Sequence, residues 1–210
     1  PSPLPAAPQQ LGETVNMSVR SLVDSGALTA WQARCINLNL GLKRTVFLCG
    51  SDENARSTLL NALLGLLQGT QRLVVVDGEE GRLPIVKERS GIMQIAAAGM
   101  PAREEAFREA VRTRPDWIVV RELEEEDGPS YLDSLHGSCG GVGTLRAEQA
   151  GATFDAWIVK DRKCAQRLVR LKPLILHLKE AEDDRPGAVE LLEATVRDGR
   201  TILTPHTGLS

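Results

Sequence analysis

Gly50 to Thr58 constrains this chain more than any other stretch. The segment Gly50-Ser51-Asp52-Glu53-Asn54-Ala55-Arg56-Ser57-Thr58 lies between a β-like apolar run, Thr45 to Cys49, and a helix-like run, Leu59 to Leu64. A strand, a nine-residue turn opening on glycine, and a helix starting at Ser-Thr is the setting of a phosphate-binding loop. That loop is written G-x-x-x-x-G-K-[ST], whereas this one reads G-x-x-x-x-A-R-S. Place and length agree with phosphate binding, and the chemistry does not. Such a loop works because successive main-chain N–H groups converge on phosphate oxygens beside a helix N-terminus. Glu53 puts a side chain where a positive φ is expected, and Asp52 and Glu53 bring two anions. A carboxylate about 5 Å from one phosphate charge is repelled by roughly 3 kcal/mol at an effective dielectric of about 20. Arg56 keeps a positive charge in a bulkier, planar fork, and a pairing with Asp52, Glu53 or Asp77 would close the loop on itself. Ser57 offers the hydroxyl that would contact Mg²⁺, but it also suits a helix N-cap, the reading preferred here.

The order of elements around this loop predicts the fold. Residues 1–13 are proline-rich and read as a linker or disordered tail, with residues 14–210 as the folded unit. Short helices are expected over 15–23 and from Leu28, with Thr29 as N-cap and Trp31, Cys35, Ile36 and Leu38 on the apolar side. After the loop come a helix over 57–67 and an apolar strand over 72–76. Short strands are expected at 83–86 and 93–97, then a helix over 102–112 and a strand over 117–120. A helix near 129–136 precedes Gly137 to Gly143, read as a flexible turn, and a helical region spans 151–169. Strand-like pieces at 173–178, 188–196 and 201–204 close the chain as a β-meander. Apolar strands alternating with helices imply an α/β fold, a mostly parallel sheet flanked by helices on both faces. The three tryptophans, Trp31, Trp117 and Trp157, are expected in the core or at subunit contacts.

Composition excludes several classes. A net charge of −3 gives no electrostatic reason to expect nucleic-acid binding. No run reaches the ~18 apolar residues of a membrane span, and no signal peptide opens the sequence, so a cytoplasmic location is expected. Cys35, Cys49, Cys139 and Cys164 are scattered, without the spacing of a metal site, and are read as free thiols.

Several blocks, in this order, resemble the type II/type IV secretion ATPases, the motors of secretion and pilus assembly, and the Tad-pilus branch most of all. Ser57-Thr58-Leu59-Leu60-Asn61-Ala62-Leu63 is similar to the family's T-T-L-L-N-A-L. Phe107 to Asp116 resembles its helix-to-strand passage ending in L-R-x-x-P-D, and Val119-Val120-Arg121-Glu122 stands where the family has the Walker-B segment I-V-G-E. The resemblance, from about residue 20 to 205, implies a RecA-like P-loop NTPase domain and a fragment lacking an N-terminal domain. The departures fall on the chemistry. Ala55 and Arg56 replace the loop's glycine and lysine, and Asp52 and Glu53 stand where the family has Thr and Gly. Asp77 alone keeps its acid in the family's E-D-x-x-E. Arg121 and Glu124 stand at the G and R of G-E-x-R. In the histidine box, His136 to Ala147, both histidines are replaced, by Ser138 and Arg146.

The nucleotide-binding positions implied are therefore Gly50, Ala55, Arg56, Ser57 and Thr58, with Ser57 contacting Mg²⁺ if the site is active. Glu122 stands at the catalytic glutamate position, although Glu122 to Asp127 also reads as an acidic solvated loop, the preferred reading. The function expected is a pseudo-ATPase with a structural or regulatory role in a secretion or Tad-like pilus machine, with no cofactor. Its expected partners are an active homologous ATPase or an inner-membrane platform protein, in a homo- or hetero-oligomer. It would be peripheral at the inner membrane through those partners, without direct membrane insertion. The alternatives are a divergent Mg-ATPase using ATP, or a sensor that binds nucleotide without turnover.

Overall fold

The computed structural model describes residues 18–78, 90–147, 150–179 and 189–207. Their elements are α1 (Val19–Asp24), α2 (Ala30–Gly41), β1 (Val46–Gly50), α3 (Glu53–Leu64), β2 (Leu73–Asp77), β3 (Ile92–Ala96), α4 (Ala102–Arg112), β4 (Trp117–Leu123), α5 (Gly128–Ser134), β5 (Gly140–Arg146), α6 (Ala150–Lys160), α7 (Lys163–Leu171), β6 (Leu174–Leu178), β7 (Val189–Arg197) and β8 (Arg200–Pro205). The expected strand at 83–86 lies outside the described residues.

The strands form one sheet in the order β3-β2-β4-β5-β1-β6-β7-β8. All pairings from β3 to β6 are parallel, and β7 and β8 add antiparallel strands at one edge. Strands β1 and β2 are buried along their whole length, which is why they read as continuous apolar runs. Each face carries its own core. Val46, Leu48, Val75, Val119 and Val142 pack with residues of α1, α2 and α3. Phe47, Cys49, Val74, Ile118 and Val120 pack with α4, α5, α6 and α7 on the other face.

Local signals hold where they were strongest. Thr29 caps α2 through a reciprocal pair with Gln32. The β7–β8 connection is a two-residue turn at Asp198 and Gly199, both with positive φ. Three expectations change. Trp117 and Trp157 are fully buried, and Cys35 and Ile36 face the core as expected, but Trp31 is 46 % exposed and Leu38 49 %, so α2 turns these two to solvent. The helical region after 150 is two helices, separated at Asp161 and Arg162. The glycine run is not one flexible turn, because Gly140 to Gly143 open β5, a buried central strand.

Packing explains those glycines. A Cβ on Gly140 would sit 2.4 Å from the Trp117 ring, and one on Gly143 would sit 2.4 Å from Leu123 Cδ1. The Trp117 ring is fully buried and has no room to retreat. We expect Gly140→Ala to lower stability by about 1–3 kcal/mol through overpacking. Urea denaturation would read this as a lower midpoint at unchanged slope, and an unchanged midpoint would refute the close packing.

At the N-terminal end of β4, Asp116 accepts from Lys43 Nζ at 2.7 Å and from the Arg72 N–H at 2.9 Å. The Lys43 hydrogen bond, then the Arg72 N–H, hold its carboxyl below the ordinary value of 3.8. A depressed carboxyl pKa contributes stability that is fully present above the unfolded value and is lost as pH falls through the folded one. The difference in Tm between the parent and Asp116→Asn is therefore expected to be constant above about pH 5 and to shrink below about pH 4. A gap that widened on acidification would contradict this.

Candidate functional site

The strand-to-helix junction is shorter than its sequence implies. β1 ends at Gly50 and α3 begins at Glu53, leaving Ser51 and Asp52 between them. The expected nine-residue turn is therefore absent, and Ala55, Arg56, Ser57 and Thr58 lie inside the helix. Asp52 is the reason. Its carboxylate caps α3, accepting from the N–H groups of Asn54 at 2.8 Å and Ala55 at 3.2 Å. Ser57 is thus not the N-cap, and Glu53 is helical with no positive φ. The Asp52 carboxylate lies at the helix N-terminus, where a phosphate would sit in a phosphate-binding loop.

Arg56 is 1 % exposed. Its Nη1 donates to the Gly50 carbonyl, and its Nε and Nη2 donate to Glu122 Oε1 at 3.1 and 2.7 Å. The expected pairing with Asp52, Glu53 or Asp77 is therefore corrected. Starting the helix at Glu53 places Arg56 under the end of β1, facing β4. Asp77 and Glu53 instead meet Arg121, at 2.9 and 3.5 Å.

Glu122 is held at its side-chain Oε1, its N–H and its carbonyl. Its φ is +57°, a left-handed conformation uncommon for a non-glycine residue. The β4–β5 register shifts between Val120 and Leu123, and Arg121 and Glu122 lie in that irregularity. The Glu122 N–H donates to Thr144 Oγ1 at 2.8 Å, and Thr144 Oγ1 donates to Glu122 Oε1 at 3.2 Å. The Glu122 carbonyl accepts from Arg103 Nη2 at 3.0 Å, while Arg103 Nε meets Asp127 Oδ1 at 2.8 Å. Asp127 is fully buried and also accepts from the Glu124 N–H. Glu122 to Asp127 is therefore not a solvated loop throughout, since its first and last residues are tied into the fold and only the middle faces water.

The sequence brought Gly50, Arg56 and Glu122 to attention, and the fold joins these three. Ala55 and Ser57 are half-buried and Thr58 partly so, all in the first turns of α3. Of the histidine-box positions, Thr144 reaches the site and exposed Arg146 ends β5 opposite Gly50. His136 and Ser138 precede β5, about 20 Å from that end by strand rise. Sequence reading passed over Thr144, Arg103 and Asp127. Thr144 carried a signal, as the threonine two residues before Arg146, but Arg103 and Asp127 carried none. Among the described residues, no group of three His, Cys, Asp or Glu side chains is placed to hold a metal ion. The four cysteines are free, and burial pushes the Cys49 thiol well above its ordinary range. No described helix is long and apolar enough to cross a membrane.

A mostly parallel sheet with helices on both faces, a glycine-ended β1 feeding α3, and an acidic residue at the end of β4 are the layout of a RecA-like α/β fold. Comparisons with known proteins agree. By sequence, the chain is 28 % identical over 136 residues to the "Putative conjugal transfer protein" of Mycobacterium tuberculosis, covering 62 % of this chain and 39 % of that protein. It is 23 % identical over 130 residues to VirB11 of Agrobacterium fabrum, covering 58 % and 36 %. The chain thus spans about two-fifths of the length of the curated relatives it matches. By structure, it resembles the VirB11 ATPase of the Brucella suis type IV secretion system, solved with sulphate. That match has a TM-score of 0.62 and 15 % identity, over 86 % of this chain and 62 % of that one. The pilus retraction motor PilT with bound ADP matches at a TM-score of 0.52 and 16 % identity, over 78 % and 48 %. No protein-family model matches the chain. The structural neighbours are thus a type IV secretion ATPase and a pilus motor, and the resemblance to the type II/type IV secretion ATPases is borne out at the level of the family, while none of these matches bears on the Tad-pilus branch.

Proposed function

We propose that the chain is a catalytically degenerate secretion-ATPase homologue, a pseudo-ATPase that serves a secretion or Tad-like pilus machine structurally or as a regulator. The observation that carries this reading is the Asp52 carboxylate on the N-terminal N–H groups of α3, with Arg56 committed to Glu122. A triphosphate would have to displace the first and break the second. Repulsion between one loop carboxylate and one phosphate charge, roughly 3 kcal/mol, already corresponds to about two orders of magnitude in affinity. Partners would be an active homologous ATPase or an inner-membrane platform protein, with the chain cytoplasmic and peripheral to the inner membrane through them.

The test is calorimetry and thermal shift with millimolar Mg-ATP, alongside a phosphate-release assay. The expected result is no saturable heat, no rise in Tm and no phosphate release. Micromolar binding without turnover would replace this reading with a nucleotide sensor. Binding with turnover would replace it with a divergent Mg-ATPase using Arg56, Ser57 and Glu122.

A further inference from the structure

A polar cavity lies at the end of the sheet opposite the α3 junction. Strands β5, β1 and β6 are neighbours, and the segments leading into all three meet below them. Lys43 and Arg44 precede β1, His136 precedes β5, and Arg170 lies in the last turn of α7 before β6. Together with Thr45 they border a cavity of about 250 Å³, room for a phosphate group and a small substituent.

The charge in this cavity is not balanced within it. Lys43 is neutralised by Asp116 at 2.7 Å. Arg44 lies 3.9 Å from Glu193, a carboxylate that His206 meets at 2.8 Å. Arg170 donates to the Leu135 carbonyl at 3.2 Å and has no carboxylate partner among the described residues. Cations at helix C-termini also offset the helix dipole, and α2, α5 and α7 all end here. Main-chain N–H groups already cap part of those ends. Leu42, Lys43 and Arg44 bond carbonyls of the last turn of α2, and Lys172 bonds Leu168. Donors of Arg170 are thus left over.

The second observation is Thr45. It is 1 % exposed, and its hydroxyl has no hydrogen-bond partner. An unmade buried hydrogen bond costs about 1–3 kcal/mol. Strand alternation turns Thr45 to the same face as Phe47, the face that α5 and α7 cover. An orphaned donor therefore adjoins a cavity with surplus guanidinium.

We propose that this cavity binds a phosphate-class dianion, gripped by Arg44 and Arg170 with the Thr45 hydroxyl donating to one oxygen. The site is separate from the α3 junction and does not depend on the pseudo-ATPase reading. The phosphate is either free or the headgroup of an anionic lipid.

The test follows backbone amide shifts of the full chain during titration with inorganic phosphate. A parallel arm measures co-sedimentation with phosphatidylcholine vesicles, with and without phosphatidic acid. We expect saturable shifts clustered at 43–46, 135–140 and 170–172. Arg44→Gln with Arg170→Gln should weaken binding by about tenfold or more, and Thr45→Val by about threefold. Should the double variant fail to fold, Thr45→Val and Arg170→Lys keep the test decisive. Saturable binding of free phosphate identifies a soluble ligand. Binding to phosphatidic acid vesicles alone, lost in the variants, identifies a headgroup. Shifts confined to 50–57, or responses unchanged by the variants in both arms, would overturn the site.

Discussion

Replacing Arg103 with methionine is expected to remove about 3–5 kcal/mol of stability, the loss seen when one partner of a buried ion pair is deleted. Arg103 and Asp127 side chains are 4 % and 1 % exposed, and their contact is 2.8 Å. Without Arg103, Asp127 keeps its charge in the interior with the Glu124 N–H as its remaining partner in this network. Removing both charges, as Arg103→Met with Asp127→Leu, is expected to recover a large part of the loss, since the uncompensated charge then disappears. Equilibrium urea denaturation of the three proteins measures this. A single variant within about 1 kcal/mol of the parent would show that water reaches Asp127. The effect also bears on the candidate site, because Arg103 holds the carbonyl of Glu122 in its left-handed conformation.

Rebuilding the loop is the second large expected effect. In Asp52→Thr, Glu53→Gly, Ala55→Gly, Arg56→Lys, the two carboxylates leave the helix N-terminus and glycine can support a longer, cradling turn. Loss of the Asp52 cap costs about 1 kcal/mol, so the variant is compared with its own nucleotide-free form. With Mg-ATP at about a hundred times its Kd, the gain in stability would be about 2.7 kcal/mol. For a chain of this size that is a rise in Tm of roughly 5–10 °C. The parent is expected to show no rise. Phosphate release by the variant should remain slight, because Ser138, Arg146 and the segment after Asp77 keep their altered chemistry. No response to Mg-ATP in the variant would show that the loop is not what limits binding, and rapid turnover would show that the other altered positions are dispensable.

How much of this was legible in the sequence differs by element. Buried parallel strands announce themselves because both faces must be apolar, so β1, β2 and the start of β4 were readable as runs. Thr29 and the Asp198-Gly199 turn were readable because capping and tight turns depend on a few adjacent residues. The β5 glycines were misread. Glycine spacing alone does not tell a mobile turn from a strand pressed against Trp117, and only the neighbouring ring separates the two.

The sequence by itself determined the α/β architecture, the relation to the secretion ATPases and the acidic, lysine-free character of the loop, because each depends on periodicity or on residues close in the chain. Tertiary structure alone decided where α3 begins and which carboxylate Arg56 meets. It also decided that Arg121 takes Asp77, and that Thr144 and Arg103 fix the main chain of Glu122. Those partners are between 19 and 66 residues apart in sequence. An arginine can satisfy its charge with any carboxylate within reach, and reach is set by the sheet order and the bulge in β4.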